Sequence, residues 1–193
     1  MQLSRYMSEE RVQLEMSTII EPPVNGASVD KWRQRAKAEI LEELVDLLEQ
    51  GNRIGNKTKL VLDFVNREKK ATTAIGLGVA IPHIRSMQAK DFTIAFARST
   101  AGYDFDSLDG LPVHLFFIMA APPYDDTLYL KAFKALAELL QHESFRKQLM
   151  SLRSPANLSA LFDRWNGDFA TFVYTISQLG RLILKTAGCL HRE

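Results

Sequence analysis

The chain has 193 residues, enough for one packed domain and short for two. Lys and Arg number 24 against 23 Asp and Glu, a formal net charge of +1, so it carries no electrostatic footprint for nucleic acid. Its one cysteine, Cys189, excludes a disulfide framework or a thiolate metal cluster within one chain, and no apolar run approaches the roughly 18 residues of a membrane span.

The first residues are polar, with Glu9, Glu10 and Arg11 where a signal peptide would have an apolar core, so a cytoplasmic location and no membrane insertion are expected. Val12 to Met16 alternates apolar and polar residues and reads as a first strand. Pro22, Pro23, Asn25 and Gly26 make residues 19–28 a loop. From Val29 to Gln50 the period turns helical, with Ala36, Ile40, Leu44, Val45 and Leu48 on one stripe and Gly51 as the stop. A shorter helix from Asn56 would bury Leu60, Phe64 and Val65.

Phe92, Ile94 and Phe96 alternate with small residues as a strand, and Val113 to Ala121 is apolar almost throughout, as a central strand should be. After Pro122 and Pro123, Asp125 or Asp126 can cap a helix with Tyr129, Phe133, Leu136 and Leu140 on its stripe. Ser154 and Pro155 signal another helix start, and a last helix is read from Asp168 to Lys185. Interleaved strands and helices place the chain in the α/β or α+β class.

The chemistry is concentrated at Arg67-Glu68 and in the run IGLGVAIPH, from Ile75 to His83. Gly76 and Gly78 permit a tight turn and close approach to a ligand, while Pro82 stiffens the stem that bears His83. A neutral imidazole with one ring nitrogen anchored leaves a lone pair on the other, which attack on phosphorus requires. Arg67 would then hold phosphoryl oxygens with its guanidinium fork. The plainer alternatives are a structural histidine in a turn and a solvated arginine.

These residues resemble the enzyme IIA domain of the fructose–mannitol branch of the bacterial sugar phosphotransferase system and its nitrogen-regulatory relatives. The likeness also rests on Phe105-Asp106 through Asp109, on Pro112 to Leu115 and on Ala121-Pro122 before a helix, and spans the chain to about residue 163. It implies a mixed β-sheet flanked by helices. It further implies that His83 accepts phosphate from a histidine phosphocarrier protein (HPr or its nitrogen-branch relative) and passes it to enzyme IIB, or that regulatory target proteins read its state. No cofactor or metal is implied.

Four departures accompany the resemblance. The family's second histidine, counted from Pro122, falls on Tyr129, whose hydroxyl can donate to a phosphoryl oxygen but carries no charge; the alternative reading of its ring is core packing. This leaves a phosphate-inactive binding module as the alternative function. Ile84 is bulky where the family has a small residue. Residues 19–32 read as an insertion, and 166–193 as a C-terminal helical extension whose apolar stripe is expected to pack on its own domain, with a partner-binding face as the alternative. Of the other histidines, His114 is expected as a hydrogen-bonded strand residue, His142 as water-facing at a helix start, and His191 in the tail. Asp104, Asp106 and Asp109 fit a turn and lack the closing glutamate of a calcium loop.

Overall fold

The computed structural model describes residues 2–23 and 28–166. Its central element is β6 (Val113–Ala121), flanked on one side by antiparallel β5 (Thr93–Tyr103), with the short β1 (Val12–Gln13) parallel to β5 at the edge. Along the other side of β6 run two short parallel strands, β3 (Val79–Ala80) and then β4 (His83–Arg85). β2 (Ala74–Gly76) closes that edge against β3, antiparallel. The sheet is therefore mixed, as expected.

Side-chain alternation gives this sheet two buried faces. Leu115, Phe117 and Met119 of β6 join Ile94 and Phe96 of β5 in one core. That core is covered by α3 (Asp126–Leu140), by α4 (Glu143–Met150), by a helix α5 over 157–166 and by the N-terminal Leu3 and Met7. Phe116 and Ile118, with Ala95 and Ala97, face the other core under α1 (Val29–Glu49) and α2 (Lys57–Glu68). The small alanines of β5 make room for Ile40, Leu44 and Leu48 of α1, all fully buried; each such side chain contributes about 2 kcal/mol relative to exposure. Ser28 caps α1, Asn56 caps α2 through Lys59 N–H at 2.9 Å, and Asp125 caps α3 through Leu128 N–H at 3.2 Å. No helix among the described residues is long and apolar enough to cross a membrane.

Several elements differ from their sequence reading. The first strand stops at Gln13 because the next carbonyl, that of Leu14, accepts from the Arg98 side chain at 2.7 Å rather than from a strand partner. Val65 is only partly buried. Ser154 and Pro155 form a turn, with Asn157 N–H on the Ser154 carbonyl, and α5 begins two residues after the proline. His142 is half-buried, its ring against Trp165 with centroids 5.5 Å apart, rather than turned to water. His114 is held as expected, Nδ1–H donating to the Ser99 carbonyl at 3.0 Å. The helix read at 168–185, Cys189 and His191 lie outside the described residues.

Candidate functional site

His83 opens β4 at the edge of the sheet, opposite Met119 of β6. Its stem is fixed on both sides: Ile81 N–H donates to the Thr73 carbonyl at 3.0 Å, and the Pro82 carbonyl accepts from Met119 N–H at 2.9 Å. The ring nitrogen Nδ1 lies 2.6 Å from the Ile81 carbonyl. A carbonyl only accepts, so Nδ1 carries the proton and Nε2 holds the free lone pair. Burial lowers the imidazole pKa from 6.5; the Ile81 bond opposes this, and the charge of Arg67 adds to the lowering. His83 is therefore neutral at pH 7, the form a nucleophile needs.

Arg67, in the last turn of α2, and Tyr129, in the first turn of α3, converge on this ring. Together with Ile84, Arg85 and Pro123 they line a cleft of about 440 Å³ that opens on His83. The three residues singled out from the sequence are thus brought to one place. Tyr129 stands with its ring centroid 6.0 Å from that of His83, and Phe133, one turn on, packs closer at 4.7 Å. Phe133 was read only as helix stripe; here it is the apolar wall that holds the imidazole. Arg67 Nη1 donates to the Ala71 carbonyl at 2.9 Å, which steadies the guanidinium at the helix end; among the described residues no ion pair neutralises it. Burial raises the Tyr129 pKa above 10, with the charges of Arg67 and then Arg85 opposing, so the phenol remains a neutral donor.

Glu68 faces the other way. Its carboxylate is buried, accepts from Thr73 N–H at 3.0 Å and Thr73 Oγ1 at 2.6 Å, and pairs with Lys37 Nζ at 2.9 Å. Neighbours in sequence, Arg67 and Glu68 therefore divide their work: one lines the cleft and the other anchors the segment that leads to it. A lysine in mid-helix gave no sequence signal for this pair.

The glycine turn is placed differently from its sequence reading. Gly76, Leu77 and Gly78 all have positive φ (89°, 60° and 72°), but the turn lies beside Asp109, whose carboxylate accepts from Leu77 N–H at 2.8 Å. A Cβ on Gly76 would sit 3.2 Å from Asp109 Oδ2. Val79 is opposite Leu115 and His83 opposite Met119, four residues or roughly 13 Å along β6, so the close approach at the turn is to Asp109 and not to the His83 cleft. Asp109 also takes Ser107 Oγ and Leu111 N–H, so this aspartate run is a turn, as expected.

Residues 29–165 match the family described as phosphoenolpyruvate-dependent sugar phosphotransferase system, EIIA 2. The chain belongs to that family. Its members are phosphotransferase components with a phosphohistidine intermediate. Over 141 residues this EIIA-family chain is 32% identical to a fructose-specific EIIA component of Haloferax volcanii, covering 73% of this chain and 84% of that protein. It is 36% identical over 120 residues (62% of this chain) to a fructose-specific EIIABC component of Bacillus subtilis, of which it spans 19%. Among solved structures, the nitrogen regulatory protein IIA-Ntr of Neisseria meningitidis superimposes with a TM-score of 0.67 at 28% identity, over 83% of this chain and 98% of that one. The nitrogen regulatory relative thus shares this sheet and its helices.

Proposed function

We propose that this protein is a phosphoryl carrier in which Nε2 of His83 receives the phosphoryl group from a histidine phosphocarrier protein, HPr or its nitrogen-branch relative. The observation that carries the reading is the 2.6 Å bond from Nδ1–H of His83 to the Ile81 carbonyl, which leaves Nε2 unprotonated at the mouth of the cleft. In the transfer the donor's N–P bond breaks as the Nε2–P bond forms, and the donor imidazole leaves as a neutral ring after taking up a proton. Such a reaction is governed by positioning and charge stabilisation. Phe133 and the Ile81 carbonyl fix the nucleophile, Arg67 answers the phosphoryl charge, and Tyr129 supplies a neutral hydrogen bond. The group then passes to enzyme IIB, or a regulatory target reads its presence.

The second reading, a binding module that no longer takes phosphate, draws on Tyr129, which also packs against the α3 side of the core. One experiment separates them. Incubation with phosphoenolpyruvate, enzyme I and the phosphocarrier should add one acid-labile phosphate to the protein and none to His83→Ala. A folded parent protein that gains no phosphate establishes the binding module instead.

A further inference from the structure

We propose that Arg85 is the second cationic contact to the phosphoryl group on His83, filling the electrostatic place that Tyr129 leaves without a charge; this rests on the phosphocarrier reading above.

The argument begins with the strand. His83 and Arg85 are two residues apart in β4, opposite Met119 and Ala121 of β6, so their side chains leave the same face of the sheet. Ile84, between them, leaves by the other face and packs against the α1–α2 core. The face shared by His83 and Arg85 is the one that α3 covers, and α3 brings Tyr129 to it. Arg85 then lines the same cleft as Arg67, His83 and Tyr129, with Arg67 reaching in from α2 and Arg85 from the sheet edge. Both guanidiniums act on the Tyr129 phenol through their charge, which places that hydroxyl within the field of each.

The chemistry needs such a group. A phosphoryl group on Nε2 carries close to two negative charges at neutral pH, and in transfer that charge spreads over three oxygens. One guanidinium fork satisfies two of them, and a neutral hydroxyl answers the third weakly. A second guanidinium lining the same cleft completes the set. Because Arg85 is exposed, an incoming phosphoryl group can reach its guanidinium from solvent.

The test uses two phosphoryl donors, the phosphocarrier protein and phosphoramidate, which has no protein surface to dock. With phosphoramidate the donor P–N bond breaks, Nε2 of His83 bonds to phosphorus, and the leaving nitrogen takes a proton and departs as ammonia. Arg85→Gln should slow phosphorylation of His83 by roughly tenfold with both donors, and Arg85→Lys, which keeps the charge but loses the fork, by roughly threefold. If Arg85→Gln slows transfer only from the phosphocarrier, Arg85 is a docking contact and the assignment is wrong. An unchanged rate with either donor in the folded Gln variant also overturns it. Should the Gln variant fail to fold, the Lys variant decides by the same comparison of donors. A parent protein that takes phosphate from neither donor would remove the phosphocarrier reading itself, a different failure from that of Arg85 alone.

Discussion

Glu68 grips Thr73 by both its backbone N–H, at 3.0 Å, and its hydroxyl, at 2.6 Å, and the Thr73 carbonyl in turn accepts Ile81 N–H at 3.0 Å. Since the Ile81 carbonyl anchors His83, a chain of hydrogen bonds runs from the Lys37–Glu68 ion pair to the imidazole. Both side chains of that pair are at least nine-tenths buried. Glu68→Gln takes away the closest carboxylate and leaves the buried Lys37 with the more exposed Asp106 at 3.5 Å, so it should cost about 3 kcal/mol, read as a lower denaturation midpoint. Glu68→Gln and Lys37→Met together should lose less than the sum of the single variants, because the double change removes both charges. Additive losses in that cycle would show that the pair is not coupled.

Arg67 makes the opposite kind of contribution. Its hydrogen bond to the Ala71 carbonyl is at the protein surface and is worth about 1 kcal/mol, so Arg67→Ala should lower the melting temperature by only about 3 °C. Phosphorylation of His83 should slow by roughly a hundredfold, as for loss of a charged group that meets the transferring phosphoryl. A variant that melts far lower yet phosphorylates at the parent rate would make Arg67 a structural residue.

The depressed pKa of His83 has a consequence for stability. Between the lowered folded value and the ordinary 6.5, the unfolded chain binds the proton more readily than the folded one. Stability due to this group is therefore present above pH 6.5 and is lost as the pH falls through the folded value. An NMR titration should find the His83 imidazole titrating below 6.5, and His83→Ala should show a smaller loss of stability between neutral and acidic pH than the parent. A His83 that titrates above 6.5 would contradict the burial argument and the neutral nucleophile with it.

What could be read from the sequence follows the length of each pattern. α1 was expected over Val29–Gln50 and runs Val29–Glu49, and β6 has the bounds its apolar run gave, because many residues repeat one preference. β2, β3 and β4 went unread, since two or three residues carry no period and these strands exist only through pairing with β6 and each other. The site divides in the same way. His83 stood out by its stiff Pro82 stem, and Tyr129 by counting from Pro122. Arg85 was hidden because its place depends on β4 alternation, and Phe133 because a stripe residue over an imidazole looks like any other. Lys37 was hidden because a mid-helix lysine ordinarily reads as solvated.

Tyr129 stands where the resemblance implied a histidine, and it gives the sharpest test. Its phenol is neutral, its ring is 6.0 Å from that of His83, and it shares the cleft with Arg67 and Arg85. Tyr129→Phe keeps the ring and removes one neutral donor, so phosphorylation should slow by roughly fivefold, the equivalent of about 1 kcal/mol. Tyr129→His adds a donor that can become charged, but two neighbouring guanidiniums disfavour its protonation in the absence of phosphate. The gain should therefore be small at pH 7 and grow toward roughly tenfold as the pH falls and more of the new imidazole is protonated. The measurement is the pH profile of phosphorylation for the parent and both variants. If Phe equals the parent and His gives no gain at acidic pH, the Tyr129 ring is packing for α3 and its hydroxyl takes no part in transfer.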